Sequence, residues 1–148
     1  MGLYKHVLVA VDVDDDGRRV LARARDIAAS LQARLSCLHV VEYLPVDPAA
    51  DAMLSTPIDL SHERARQAQL RLDDWREELG LEAGSGRVSV GSVTGEILRA
   101  QDELGADLIV VGHHSRNGLM ALFSRTDDGV LSRARCDFLA VYLDPDEG

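Results

Sequence analysis

The sequence predicts an α/β protein: a single-domain open parallel sheet of five strands with helices on both faces. Three observations predict it. Short apolar runs rich in valine and leucine alternate along the chain with longer stretches of helical periodicity. The runs are apolar at consecutive positions, as strands covered on both faces must be. The alternation repeats as β-α-β-α-β-α-β-α-β, and right-handed crossovers fold that order into one parallel sheet.

The first strand is read in "HVLVAVD", from Val7 to Val11. A helix from about Arg18 to Ala33 follows an acidic turn, with Val20, Leu21, Ala24, Ile27, Ala28 and Leu31 tracing one face. "RLSCLHVVE" is the second strand. Residues 42–58 carry Pro45, Pro48 and Pro57 and read as a loop. A longer helix runs from about Leu60 to Leu79, where Ala65, Ala68, Leu72, Trp75 and Leu79 form a core stripe rather than a cofactor box. "GRVSV" is a third strand and "TGEILRAQDELG" a compact helix. In it Glu96 favours the positive end and Gly105 suits the carboxyl cap. "ADLIVVG" is the fourth strand, a last helix lies within Leu122 to Arg135, and "FLAVYL" is the fifth strand.

The 148 residues fit one domain, 1–148. A chain of this size buries roughly 70% of its unfolded surface and needs no disulfide or structural metal. Cys37 and Cys136 are too few and too scattered for a disulfide framework and read as buried free thiols. A net charge of −9 opposes nonspecific binding to nucleic acid or to an anionic membrane. No apolar run reaches the ~18 residues that span a bilayer, and the amino terminus lacks the apolar core of a signal peptide. The expected location is cytoplasmic.

In open parallel sheets ligands bind beyond the carboxyl ends of the strands, where the winding reverses. Here that places "VDVDDDG" beside "VGHHSRNG". Asp12, Asp14, Asp16 and Gly17 match the opening of a calcium loop. However, its twelfth position is Arg23 instead of a bidentate Glu, and a strand rather than a helix enters it. A phospho-receiver site fails as well, because no Asp ends strand three and no Lys lies near strand five. Asp14 to Asp16 read as helix-capping acids, and Asp12, at the strand tip, as a ligand candidate. His113 and His114 point to opposite sides of a strand end and cannot chelate one metal there without a turn; a hydrogen-bonding role in the loop is the expectation.

"YKHVLVAVD", "LHVVE" and "ADLIVVGHH", followed by a helix and "FLAVYL", resemble the universal stress protein family and, within it, the A-type branch. The similarity covers nearly the whole chain. The resemblance implies strand order 3-2-1-4-5, a Rossmann-like fold similar to the adenine nucleotide alpha hydrolases, and homodimers paired through the last strand. Nucleotide-binding members carry G-x-x-G-x9-G-[ST] after strand four. Glycine amides and the terminal hydroxyl cradle the phosphates, while an Asp after strand one and backbone after strand two hold adenosine.

In this sequence the motif positions are Gly112, Ser115, Arg125 and Thr126; Asp12 follows strand one, and Val40 and Val41 supply backbone. Two of the three glycines are replaced. Side chains at 115 and 125 crowd the phosphates, and Asp127 and Asp128 add negative charge that Arg116 and Arg125 only partly offset. The double histidine also points to the A-type branch, whose members generally lack ATP binding.

No nucleophile elbow, phosphate loop or dinucleotide fingerprint is present. The expected protein is therefore non-enzymatic: a cytoplasmic stress-response homodimer that uses neither ATP nor another cofactor, with an unidentified protein client as a possible partner. Its interface is the last strand, with Leu139, Val141 and Leu143 on one face and Phe138, Ala140 and Tyr142 on the other. The alternative is an ATP- or AMP-binding regulatory module using Asp12, Val40, Val41, Gly112, Ser115 and Thr126. A hydrolase or transferase relying on His113 or His114 is a third reading.

Overall fold

A computed structural model describes residues 2–42, 57–113 and 133–144. Its elements follow the chain as β1 (His6–Ala10), α1 (Asp15–Leu31), β2 (Arg34–Glu42), α2 (Pro57–Leu79), β3 (Gly86–Gly91), α3 (Val93–Leu104), β4 (Leu108–His113) and β5 (Asp137–Tyr142). The strands form one parallel sheet in the order β3-β2-β1-β4-β5. The expected last helix falls almost entirely outside the described residues.

β1 lies at the centre because all its side chains are apolar or half-polar and none needs water. Val7 and Val9 face one core, with Leu21, Ala24 and Trp75 from α1 and α2. Leu8 and Ala10 face another, with Ile97 and Ala100 from α3. Four apolar residues in sequence thus serve two hydrophobic layers, which is why the run is continuous. The α2 stripe packs as expected: Ala68, Leu72, Trp75 and Leu79 are buried.

Helix boundaries depart from the periodicity for local reasons. α1 begins at Asp15, three residues earlier than its apolar face suggests, because Asp14 caps it, accepting from Gly17 N at 2.8 Å. It ends at Leu31 rather than Ala33, where Gln32 turns left-handed (φ 54°). α2 starts at Pro57, which had read as part of the loop; proline is well suited to a first helical turn, whose N–H groups have no intrahelical partner. α3 is capped by Ser92 and closed by Gly105 at φ 65°. Cys37 is buried and its thiol is pushed up to about 12 by that burial. Cys136 differs from expectation in being only half-buried, and burial, then Asp137 and Asp107, push it up to about 11.

Candidate functional site

The carboxyl ends of β1, β2 and β4 meet where α1 begins. The β1–β2 ladder stops at Ala10 opposite Leu38, with one further bond from Val11 N to Leu38 O at 3.0 Å. β2 continues to Glu42 while pairing with β3, placing Val40 opposite Ser89 and Val41 opposite Val90. The Val11 carbonyl is taken by the ring of His39, whose Nδ1 lies 2.8 Å away. A carbonyl only accepts, so Nδ1 carries the hydrogen. His39 was not singled out in the sequence. Its signal was present, a histidine embedded in "CLHVV" close to a strand's carboxyl end.

Asp12 and Val40 line the same crevice, together with Leu38 of β2 and Val93 and Ile97 of α3. The space there is about 20 Å³, room for about one water. Val41 is buried. Ser115, Thr126 and His114 lie outside the described residues, as do Arg116, Arg125, Asp127 and Asp128.

Two glycines at this end have packing reasons. A Cβ on Gly17 would stand 1.6 Å from the Asp12 carbonyl oxygen, so the first turn of α1 rests directly on the chain leaving β1. A Cβ on Gly112 would stand 2.7 Å from Val20 Cγ2 and 3.5 Å from Leu143 Cδ1. Gly112 therefore lets α1 approach β4, and its φ is outside the left-handed region. Gly17, read as the sixth position of an incomplete calcium loop, is instead a contact between helix and strand. Asp16 pairs with Arg19 at 3.4 Å, and Arg19 also donates to the Asp144 carbonyl at 3.2 Å, tying α1 to the segment after β5. Among the described residues no group of three or more His, Cys, Asp or Glu side chains converges on a metal position.

His113 ends β4 opposite Tyr142 of β5, their rings tilted at 45° with centroids 6.1 Å apart. Its carbonyl accepts from Leu143 N at 3.0 Å. On β5 the two faces separate as the alternation requires. Val141 and Leu143 join the core under α1, and Phe138 packs toward the core under α3. Leu139 is 38% exposed and Tyr142 67%, and Ala140 is exposed too. β5 pairs only with β4 among the described residues.

An open parallel sheet in this order, with helices on both faces and a crevice at the strand tips, defines a Rossmann-like α/β protein. The model of the universal stress protein family matches residues 3–142, and the chain belongs to that family. It is 33% identical over 144 residues to universal stress protein A homolog 2 of Coxiella burnetii, covering 97% of this chain and 98% of that one. Identity to universal stress protein A homolog 1 of the same organism is 32% over 142 residues, covering 95% and 97%. Among solved structures, universal stress protein UspA from Lactobacillus plantarum superposes with a TM-score of 0.71 at 24% identity, covering 93% and 97%. A universal stress protein in complex with cAMP gives a TM-score of 0.55 at 27% identity, covering 93% and 96%. No described helix is long and apolar enough to cross a membrane.

Proposed function

We propose that this universal stress protein acts in the cytoplasm as a non-enzymatic homodimer in the stress response, without ATP. The observation that carries the dimer is β5. It is an edge strand whose far side pairs with no described strand, and Leu139, Ala140 and Tyr142 are exposed along it. An apolar edge left open is an aggregation hazard, and antiparallel pairing with a twofold mate covers it at both copies. The partner beyond the dimer is a protein client.

Two features support the absence of ATP. Ser115 and Arg125 stand at the two motif positions where glycine would let a phosphate approach bare backbone. Gly112, the one glycine of the phosphate motif that the sequence keeps, is accounted for by Val20.

The wild-type chain is expected to run as a dimer in size-exclusion chromatography with light scattering. Ala140→Pro removes one N–H from β5 and should give monomer or aggregate while the helical circular dichroism persists. A wild-type monomer at micromolar concentration, or an unchanged dimer in the variant, refutes the interface.

The second reading, an adenine-nucleotide regulatory module, is favoured by the relative solved with cAMP. It would use Asp12, backbone at Val40 and Val41, Gly112, Ser115 and Thr126. Calorimetric titration with magnesium-ATP, AMP and cAMP separates the two. Heat that disappears in Asp12→Ala establishes the module, and flat titrations support the ATP-independent protein.

A further inference from the structure

The opposite end of the sheet holds a larger space. Between the carboxyl ends of α1 and α2 and the start of β2 lies a cavity of about 410 Å³, within the ordinary range for small-molecule sites. Its walls are of two kinds. Ala28, Leu35 and Leu81 supply apolar surface, while Gln32, Arg34 and Ser85 bring donors.

Two of these donors, on the exposed side chains of Gln32 and Arg34, are open to the space. The Arg34 guanidinium makes no hydrogen bond or ion pair with any described residue, and neither does the Gln32 amide. Ser85 Oγ is buried without a partner, a condition that folded proteins seldom tolerate. Gln32 is also the one non-glycine residue at positive φ among those described, at a cap where glycine is the usual choice. The chain thus sets a long amide side chain at the rim where none is needed for the turn.

Two helix carboxyl ends would ordinarily repel an anion, but here several carbonyls at or just beyond those ends already accept hydrogen bonds. Ala33 N donates to Ala28 O at 2.9 Å and Leu81 N to Arg76 O at 2.9 Å. Arg25 Nη1 donates to Leu79 O at 3.3 Å and Arg76 Nη1 to Leu81 O at 3.4 Å. Arg25 is paired with Asp26 at 3.1 Å, which leaves Arg34 as the lining cation without a partner among the described residues, beside the acid Glu82.

We propose that this cavity binds a compact organic monocarboxylate, with its carboxylate on Arg34 and Gln32 and its apolar body against Ala28, Leu35 and Leu81. A guanidinium with neutral donors beside it suits a carboxylate, and methyl-lined walls exclude ligands that are charged throughout. The site is remote from Asp12 and Gly112 and does not depend on whether that crevice takes nucleotide.

The test is a nitrogen-15 amide titration at constant ionic strength with benzoate, hexanoate and inorganic phosphate. Benzoate or hexanoate is expected to shift the amides of residues 32–35 and 81–85 saturably at millimolar concentration. Phosphate should leave them in place. Arg34→Gln should weaken binding about tenfold. Ala29→Leu, at an exposed position on the rim, should abolish it by filling the space without unfolding the chain.

The proposal is overturned by any of four results. These are no saturable shift in the wild-type chain, equal binding by Arg34→Gln, phosphate moving the same amides, or shifts centred on Val40 and Gly112.

Discussion

The two ends of the sheet are held together by different forces. At the amino end polar groups do the joining. The Asp107 carboxylate accepts from Lys5 N at 2.9 Å and His6 N at 3.0 Å, while Asp107 N returns a bond to His6 O at 3.0 Å. Burial raises the Asp107 pKa, yet these N–H donors outweigh it and the carboxyl sits below its ordinary value. His6 Nε2 lies 2.8 Å from Ser36 Oγ, and Tyr4 donates to Asp137 at 2.7 Å. At the carboxyl end the joining is steric. α1 is pressed onto the chain leaving β1 through Gly17 and onto β4 through Gly112, with His39 and Arg19 as side-chain ties. The contrast teaches that a glycine at the expected place in a phosphate motif is not evidence of a phosphate when a helix already occupies the space its side chain would need.

Breaking the steric end should have the largest effect. Gly17→Ala sets a methyl against a backbone carbonyl that cannot rotate away, and should cost about 3 kcal/mol in urea unfolding. A loss near zero would show that α1 does not rest on Asp12. Gly112→Ala meets the end of a side chain instead, and should cost about 1–2 kcal/mol. Adding Val20→Ala should recover part of that loss, since the second change removes the methyl group in the way. Were the two losses simply additive, Gly112 would need another explanation, and the nucleotide reading would regain it.

The polar end gives the smallest effect, a pH dependence. Burial, and next the Arg34 charge, hold His6 below its ordinary value of 6.5, against the Leu104 carbonyl and the Asp107 charge. The folded chain therefore binds this proton less readily than the unfolded one. Stability from this group is complete above 6.5 and falls as pH drops toward the lowered folded value. His6→Gln should flatten the slope of unfolding free energy against pH below that point. An identical slope in the variant assigns the acid sensitivity to other groups.

Much of this molecule was legible in the sequence. "RLSCLHVVE" reads as a strand and forms β2 over the same residues, with Cys37, Leu38 and Val41 buried within it. The stripe through Ala68, Leu72 and Trp75 declared its buried face by spacing alone. Boundaries were less legible: Asp14 extends α1 toward the amino terminus, and Pro57 opens a helix where a breaker had suggested a loop.

Sequence pattern by itself determined the elements, their order and which side of each is apolar, since periodicity of 2 or 3.6 is a local property. It left open how closely the elements approach one another. That Val20 reaches Gly112 and that His39 turns to Val11 depend on distances between segments remote in the chain. Only the tertiary structure decided those contacts, because close packing is a property of facing surfaces and no one segment carries both.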